Sequence, residues 1–211
     1  MASCLVGSEM CIRDRGMDIA SIIQDKNHST GVAGIMVNEK TGDNAINIIP
    51  GAAGTLTNDD IEKNLNFIAN TDIFLTQLET PYDVTKYALK KAKENKLTTI
   101  LNPAPACQIN DDDFKLIDFF TPNETEAEFY LNKKIETEKD IKNASEEFLK
   151  KGIKNIVITL GDKGCYFAND KENFFMNAFK LKEPVVDTTG AGDAFNGALA
   201  VGLSKDLDIK E

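Results

Sequence analysis

A glycine-rich turn with an acid inside it is the part of this chain best suited to chemistry. Residues 187–197 read DTTGAGDAFNG, and an apolar pattern typical of a helix follows. Two glycines one residue apart let the backbone turn sharply, and the N–H groups of the first helical turn point toward any bound anion. A carboxylate at Asp193 would lie beside that anion and accept a proton. The pattern therefore indicates a phosphate cradle next to a general base, as phosphoryl transfer to an alcohol requires.

A plainer interpretation of the same turn stays open. A strand, a glycine turn and a helix form a common joint in α/β proteins, and many such joints bind no ligand. Asp193 would then only stabilise the start of a helix. Two familiar nucleotide motifs are excluded, since no Lys-Ser or Lys-Thr pair follows the glycines and the third glycine of the dinucleotide fingerprint is missing. The missing fingerprint also argues against a nicotinamide-binding module.

The elements that must position this turn alternate between strands and helices. Two β-branched runs, 31–37 and 45–49, flank a polar loop and predict a hairpin. A helix capped by Thr57 is predicted to carry Ile61, Leu65 and Ile68 on one face. Further strands are predicted between helical segments, over 73–78, 98–101, 118–121 and 156–160. Alternation of this kind predicts an α/β fold in which helices cover both faces of a mainly parallel sheet.

Polar residues recur where these predicted strands end. In an open α/β sheet, ligands bind in the crevice beyond the carboxyl ends of the strands. Polar residues that follow several strands are therefore expected to line one crevice. The residues at these positions are Glu79, Asn102, Asn123, Gly161 and Asp193.

Several segments, in the same order and at compatible spacing, resemble the ribokinase-like carbohydrate kinases of the phosphofructokinase-B type. The glycine turn at 187–197 resembles the family signature, and 121–128 (TPNETEAE) resembles its Asn-x-x-Glu motif. The other matching segments are 29–33, 50–52, 77–79, 102–106 and 159–164. The resemblance implies a three-layer α/β/α fold with a mainly parallel sheet, a small β lid at about 31–50 and a core at about 55–211.

The resemblance also implies roles at the reacting centre. Asp193 would be the catalytic base toward a sugar hydroxyl and would contact the sugar. Backbone groups of Gly190, Ala191 and Gly192 would stabilise charge on the transferring phosphoryl group. Glu79 would hydrogen-bond the sugar, although its plainer interpretation is an exposed residue at a strand end.

Nucleotide and metal contacts follow from the same resemblance. Asn123 and Glu126 would organise Mg²⁺ and phosphate, the acid through water; a capped surface helix is the plainer interpretation. Asp187 and the Thr189 carbonyl would supply part of a site for a monovalent cation, K⁺. The nucleotide would also lie beside Gly192 and Asp193 and along a loop whose Gly-Asp-Lys-Gly sequence is ordinary turn chemistry. The residues of that loop are Thr159, Leu160, Gly161, Asp162, Lys163 and Gly164.

The activity implied is that of an ATP-dependent sugar kinase that transfers the γ-phosphoryl group to a sugar hydroxyl. D-Ribose is the favoured sugar, with ribose 5-phosphate as the product. Ala53 departs from the Asn that ribose-specific members often carry after Gly-Ala, which weakens this assignment. Fructokinase, 2-keto-3-deoxygluconate kinase and nucleoside kinase stay open, as does a non-catalytic binding protein on the same fold.

The composition of the chain limits the number of domains, the classes of partner and the cellular compartment that are expected. With 211 residues, 42% of them hydrophobic and 27% charged, the chain fits one globular domain. A formal net charge of -10 argues against nucleic acid or an anionic membrane as a partner. The four cysteines form no Cys-x-x-Cys pair, which predicts a reducing cytoplasm rather than a zinc or redox site. Cys107 and Cys165 are expected to be buried as small apolar residues.

The two ends of the chain differ from what the resemblance implies. Residues 1–15 show no clear period and are predicted to be a non-native leader, which leaves 16–211 as an incomplete kinase domain. Family members carry a Gly-Gly-x-x-x-Asn sugar motif upstream and further helices downstream. We therefore expect this fragment by itself to be inactive. In the parent enzyme the lid hairpin predicts a homodimer, because a two-stranded sheet cannot bury a face alone.

Overall fold

The computed structural model describes residues 14–37, 44–182, 185 and 187–210. The predicted leader lies outside this range except for Asp14 and Arg15, as does almost all of the polar loop of the hairpin. Val186, directly before the glycine turn, also lies outside it. Its neighbours Val185 and Asp187 are described and are not in a strand.

A six-stranded sheet forms the centre of the described chain. Four strands run parallel to one another: β3 (Ile73–Thr76), β4 (Thr98–Leu101), β5 (Phe119–Phe120) and β6 (Asn155–Thr159). Two more strands, β7 (Cys165–Asn169) and β8 (Asn173–Met176), extend the sheet antiparallel after β6. The spatial order is β3-β4-β5-β6-β7-β8. The predicted mainly parallel sheet is thereby confirmed.

The two antiparallel strands, β7 and β8, were not predicted. Their residues, CYFAN and NFFM, include the aromatic side chains that favour strands, but the runs are short and contain no β-branched side chain. A short 3₁₀ turn, Gly161–Lys163, joins β6 to β7. Gly164 ends this turn with φ 102°, and a Cβ on it would lie 1.9 Å from the Met176 carbonyl oxygen. Only glycine fits between the turn and β8.

Helices cover both faces of the sheet. Their bounds are α1 (Asn58–Lys63), α2 (Leu65–Ile68), α3 (Tyr82–Glu94), α4 (Glu124–Leu131), α5 (Glu138–Lys150) and α6 (Ala191–Ser204). The single helix predicted to begin after Thr57 is divided at Asn64, whose side chain donates to the Asp60 carbonyl at 2.8 Å and competes with the backbone. In the described part of the chain, no helix has the length and apolar character needed to cross a bilayer.

The core is divided by the sheet into two layers. On one face, residues of α3, α4 and α5 pack on a cluster of fully buried rings, Phe114, Phe120 and Phe148. On the other face, Phe195, Leu199 and Leu203 of α6 cover Ile100, Phe119, Val157, Cys165 and Phe167. Cys165 is buried and Cys107 is half-buried.

A separate antiparallel pair precedes the main sheet. Strands β1 (Thr30–Val37) and β2 (Asn44–Gly51) are in register at Val32 and Ile49, and both of these side chains are exposed. Gly51 ends β2 with φ 55°, and its backbone lies against that of Ser29 and Thr30. The pair therefore presents apolar residues to solvent instead of packing them on the main sheet.

Candidate functional site

The first turn of α6 lies at the carboxyl edge of the parallel strands. Gly190 caps the helix with φ 76°, a left-handed conformation that favours glycine. The first helical hydrogen bond runs from the Ala194 N–H to the Gly190 carbonyl at 2.9 Å. The N–H groups of Gly192 and Asp193 precede that bond, so helix geometry gives them no intrahelical acceptor. The N–H of Ala191 instead donates to the Thr188 carbonyl at 3.1 Å, so this predicted donor is engaged within the turn.

Gly192 has no structural explanation within the described residues. Its φ is not left-handed, and a Cβ built on it would meet nothing within 4 Å. Glycine in a helix costs about 1 kcal/mol relative to alanine, so the fold alone would favour another residue. The open space at Gly192, next to two N–H groups at a helix start, fits the close approach of a phosphate.

The carboxylate of Asp193 is joined to a residue that sequence reasoning did not assign to the site. Gln77, directly after β3, donates from Nε2 to Asp193 Oδ1 at 2.8 Å and to Asn102 Oδ1 at 3.0 Å. In the sequence, Gln77 is distinguished only as part of the segment 77–79 at the end of a predicted strand. The available signal was the presence of polar residues directly after β3 and β4, at the edge where α6 begins.

Three further polar residues complete a closed ring beneath this contact. Asn102 donates from Nδ2 to the Thr121 carbonyl at 3.0 Å, and the Thr121 hydroxyl donates to Asn196 Oδ1 at 2.7 Å. Asn196 then donates from Nδ2 to the Gly192 carbonyl at 2.9 Å. All three residues are buried, and Asn196 is 4% exposed. Asn196 was visible in the sequence only as part of the glycine-turn segment.

Asn123 and Glu126 form the cap of α4. The Asn123 side chain accepts the Glu126 N–H at 2.8 Å, and the Glu126 carboxylate accepts the Asn123 N–H at 2.8 Å. This is the capped helix of the plainer interpretation. Burial raises the pKa of Glu126, and the N–H of Asn123 partly opposes that effect. Both residues retain polar atoms at the crevice edge of the sheet.

The predicted nucleotide loop adjoins that cap. Asn123 and Thr159 form a parallel bridge, and the Thr159 N–H donates to the Pro122 carbonyl at 3.0 Å. Leu160 is buried, and its N–H donates to the Gly164 carbonyl at 2.8 Å. Gly161 has φ 59° with open space around it. Asp162 and Lys163 lie exposed in the 3₁₀ turn.

The predicted sugar contact, Glu79, and the predicted cation ligands, Asp187 and Thr189, do not take part in the contacts described above. Glu79 is exposed after β3, and no hydrogen bond within the described residues joins it to Asp193. Asp187 accepts both the N–H and the hydroxyl of Thr189, at 2.8 and 2.7 Å, and these bonds hold the pKa of Asp187 below its usual range. Within the described ranges, no three His, Cys, Asp or Glu residues cluster closely enough to hold a metal unaided.

Known proteins are similar in sequence to this chain over nearly its whole length. A ribokinase of Staphylococcus aureus is 39% identical over 192 residues, which are 91% of this chain and 62% of that protein. A ribokinase of Haemophilus influenzae is 35% identical over 196 residues, which are 93% of this chain and 63% of that protein. The chain thus spans less than two thirds of the length of these relatives.

Solved structures share the same fold. Ribokinase from Thermotoga maritima superposes with a TM-score of 0.77 at 37% identity, covering 96% of this chain and 65% of that one. Arabidopsis thaliana ribokinase, solved with ribose and ATP, gives 0.74 at 30% identity, covering 86% and 59%. The family model described as pfkB family carbohydrate kinase matches residues 10–211. The chain therefore belongs to the pfkB family of carbohydrate kinases.

Proposed function

We propose that this chain is the catalytic part of an ATP-dependent sugar kinase that converts D-ribose to ribose 5-phosphate. The observation that carries the proposal is Asp193, a carboxylate held by Gln77 at the open first turn of α6. Ribose is supported by the ribokinases among the relatives, one of them solved with ribose and ATP.

In this mechanism Asp193 accepts the proton of the sugar hydroxyl while the hydroxyl oxygen attacks the γ-phosphorus of ATP. The bond between the γ-phosphorus and the bridging oxygen breaks, and ADP departs. The N–H groups of Gly192 and Asp193 donate to the transferring phosphoryl group, whose charge they stabilise without reorganisation. Gly190 supplies the left-handed corner that turns these donors toward the crevice.

Mg²⁺ and K⁺ belong to the same proposal. Asn123 and Glu126 would organise Mg²⁺ through water, since oxygen ligands and retained waters suit this ion. Bound Mg²⁺ neutralises phosphate charge during transfer. Asp187 and the Thr189 carbonyl would contribute to a K⁺ site. The nucleotide would lie along the loop from Thr159 to Gly164, and Glu79 would contact the sugar.

Assembly and location complete the proposal. The exposed apolar residues of β1 and β2, with Val32 63% and Ile49 65% exposed, support a homodimer formed through this pair of strands. Cys107 and Cys165 are both free thiols, which supports the cytoplasm as the compartment.

The test uses the protein expressed from its complete gene. ATP consumption is measured with Mg²⁺ and K⁺ against ribose, fructose, 2-keto-3-deoxygluconate and adenosine, in the wild type and in Asp193→Asn. Turnover with ribose that falls by about 10²–10⁴-fold in the variant is the expected result. Turnover with another acceptor would keep the mechanism and replace the substrate. A folded protein that turns over none of them would overturn the kinase proposal in favour of a binding protein.

A further inference from the structure

The amide group of Gln77 has only one orientation that satisfies its neighbours. The buried Thr121 carbonyl can only accept, so Asn102 must direct its NH₂ group there and its Oδ1 toward Gln77. Gln77 must then present its own NH₂ group to Asn102 Oδ1, at 3.0 Å. The second hydrogen of that group is directed to Asp193 Oδ1, at 2.8 Å, and a carboxylate is an acceptor.

A second series of hydrogen bonds leads to Asp193 through the carbonyl of the preceding residue, Gly192. The Gly192 carbonyl can only accept, so Asn196 must direct its NH₂ group there and its Oδ1 toward the Thr121 hydroxyl. Thr121 thus takes part in both series of hydrogen bonds: its carbonyl accepts from Asn102, and its hydroxyl donates to Asn196. Asp193 is held at its side chain by Gln77 and at its preceding peptide group by Asn196.

We infer that Gln77 is a positioning residue for Asp193. This inference rests on the proposed function. By engaging Oδ1, Gln77 leaves the other carboxylate oxygen, Oδ2, on the side of the glycine turn, where a Cβ on Gly190 would be 3.9 Å from it. Oδ2 is therefore the atom that receives the hydroxyl proton. Gln77 does not touch the reacting atoms in this arrangement; it fixes the direction of the carboxylate.

Two substitutions distinguish positioning from space filling. Gln77→Met keeps most of the volume and removes the donor, whereas Gln77→Glu keeps the shape but places a second carboxylate against Asp193. If Gln77 positions Asp193, both variants lose activity, and Gln77→Glu loses more because like charges repel. If Gln77 only fills space, Gln77→Met, which keeps most of the volume, leaves kcat unchanged. Gln24→Met, at an exposed glutamine, is the matched control.

The kinetic readout is the division between kcat and KM. We expect Gln77→Met to lower kcat about 10- to 100-fold, because a displacement of about 1 Å at a reacting group has that effect. The KM values for sugar and ATP should stay within about twofold, since the lost contact is not to substrate. A raised sugar KM with unchanged kcat would make Gln77 a substrate contact and overturn the inference.

A second readout does not depend on activity. Crystal structures of the wild type and of both Gln77 variants, without ligands, should show the Asp193 carboxylate turned away from its wild-type direction in the variants only. An Asp193 side chain that keeps its place in both variants would overturn the inference. If the folded wild type phosphorylates no acceptor, the proposed function fails, while this comparison still decides whether Gln77 holds Asp193.

Discussion

The Oδ2 atom of Asp118 lies 2.6 Å from the Nζ atom of Lys93, at the edge of the sheet opposite the candidate site. Lys154 contacts the other carboxylate oxygen at 2.7 Å, and the N–H and hydroxyl of Thr99 also donate to Asp118. Asp118 directly precedes β5, and Thr99 lies in β4. The contacts therefore tie together the starts of two neighbouring parallel strands, while the reacting residues lie at their ends.

Asp118→Asn should destabilise the protein and change its response to acid. Burial by itself would raise the pKa of Asp118, but hydrogen bonds from Lys154, Lys93 and Thr99 hold it below its usual range. A lowered pKa in the folded state gives stability that is present above the unfolded value of about 3.9 and is lost as the pH falls through the folded value. We expect a loss of about 2 kcal/mol at pH 7, because the substitution deprives both lysines of their carboxylate partner, and the loss stays moderate because both lysines reach solvent.

Urea unfolding at pH 7 and below pH 4 measures this effect. The variant should show the smaller loss of unfolding free energy between the two conditions. Asp112→Asn is the matched control, because Asp112 is 96% exposed and lies 3.7 Å from Lys115. Equal stability of the wild type and Asp118→Asn at pH 7 would contradict the prediction.

Gly192→Ala should separate stability from activity. The substitution meets no atom within 4 Å and removes a helical glycine, so the unfolding free energy should stay the same or rise by up to about 1 kcal/mol. We expect kcat/KM for ATP to fall by at least about tenfold, because the methyl group occupies the approach of the phosphate. Gly197→Ala, in the same helix and with equally open surroundings, should gain stability without losing activity. Equal kinetic effects of the two variants would count against a phosphate at Gly192.

Glu126→Gln should weaken the binding of Mg²⁺ more than it weakens the fold. Glu126 and Asp140 occupy the same position of two capping boxes, at the starts of α4 and α5. Glu126→Gln and Asp140→Asn should therefore lower the melting temperature by similar, small amounts. Only Glu126→Gln should raise the Mg²⁺ concentration for half-maximal activity, by about tenfold. A magnesium titration of the activity of both variants tests this prediction. The same shift in Asp140→Asn would show that the shift in Glu126→Gln is an effect on folding and not on Mg²⁺ binding.

Phe120→Ala should be the most destabilising of these changes. The Phe120 ring is fully buried, with ring centroids at 5.7 Å from Phe114, 5.2 Å from Phe148 and 5.5 Å from Tyr130. Truncating a core phenylalanine to alanine costs about 3–5 kcal/mol. Urea unfolding measures the loss, and Phe179→Ala, at a ring that is 97% exposed, should show none. A loss below about 1 kcal/mol at Phe120 would show that the cluster adjusts to the cavity.

Local sequence patterns predicted the features that depend on neighbouring residues. The strand over Thr98–Leu101, the helix cap at Thr57 and the glycine corner at Gly190 all arise from residues a few positions apart. The break at Asn64 was missed because it depends on one side chain competing with the helix backbone. Strands β7 and β8 were missed although their Tyr and Phe residues favour strands, because the runs are short and lack β-branched side chains.

Long-range pairs could not be predicted in the same way. Gln77 and Asp193 are 116 residues apart, and Thr121 and Asn196 are 75 apart. In a parallel sheet the carboxyl ends of the strands lie at one edge. The approximate location of the candidate site could therefore be predicted from the sequence. Which side chains meet there depends on strand register and on how α6 packs on β3, and no pattern within one segment contains that information.

The separation of Gln77 and Asp193 also has a consequence for protein synthesis. A ribosome that adds 5–20 residues per second completes Asp193 roughly 6–23 s after Gln77. During that interval the nascent chain carries the edge of the sheet but neither the proposed base nor the phosphate donors of α6. If the proposed chemistry holds, a growing polypeptide therefore cannot hydrolyse ATP by this route, and translation that stops before α6 releases a product without phosphotransfer activity.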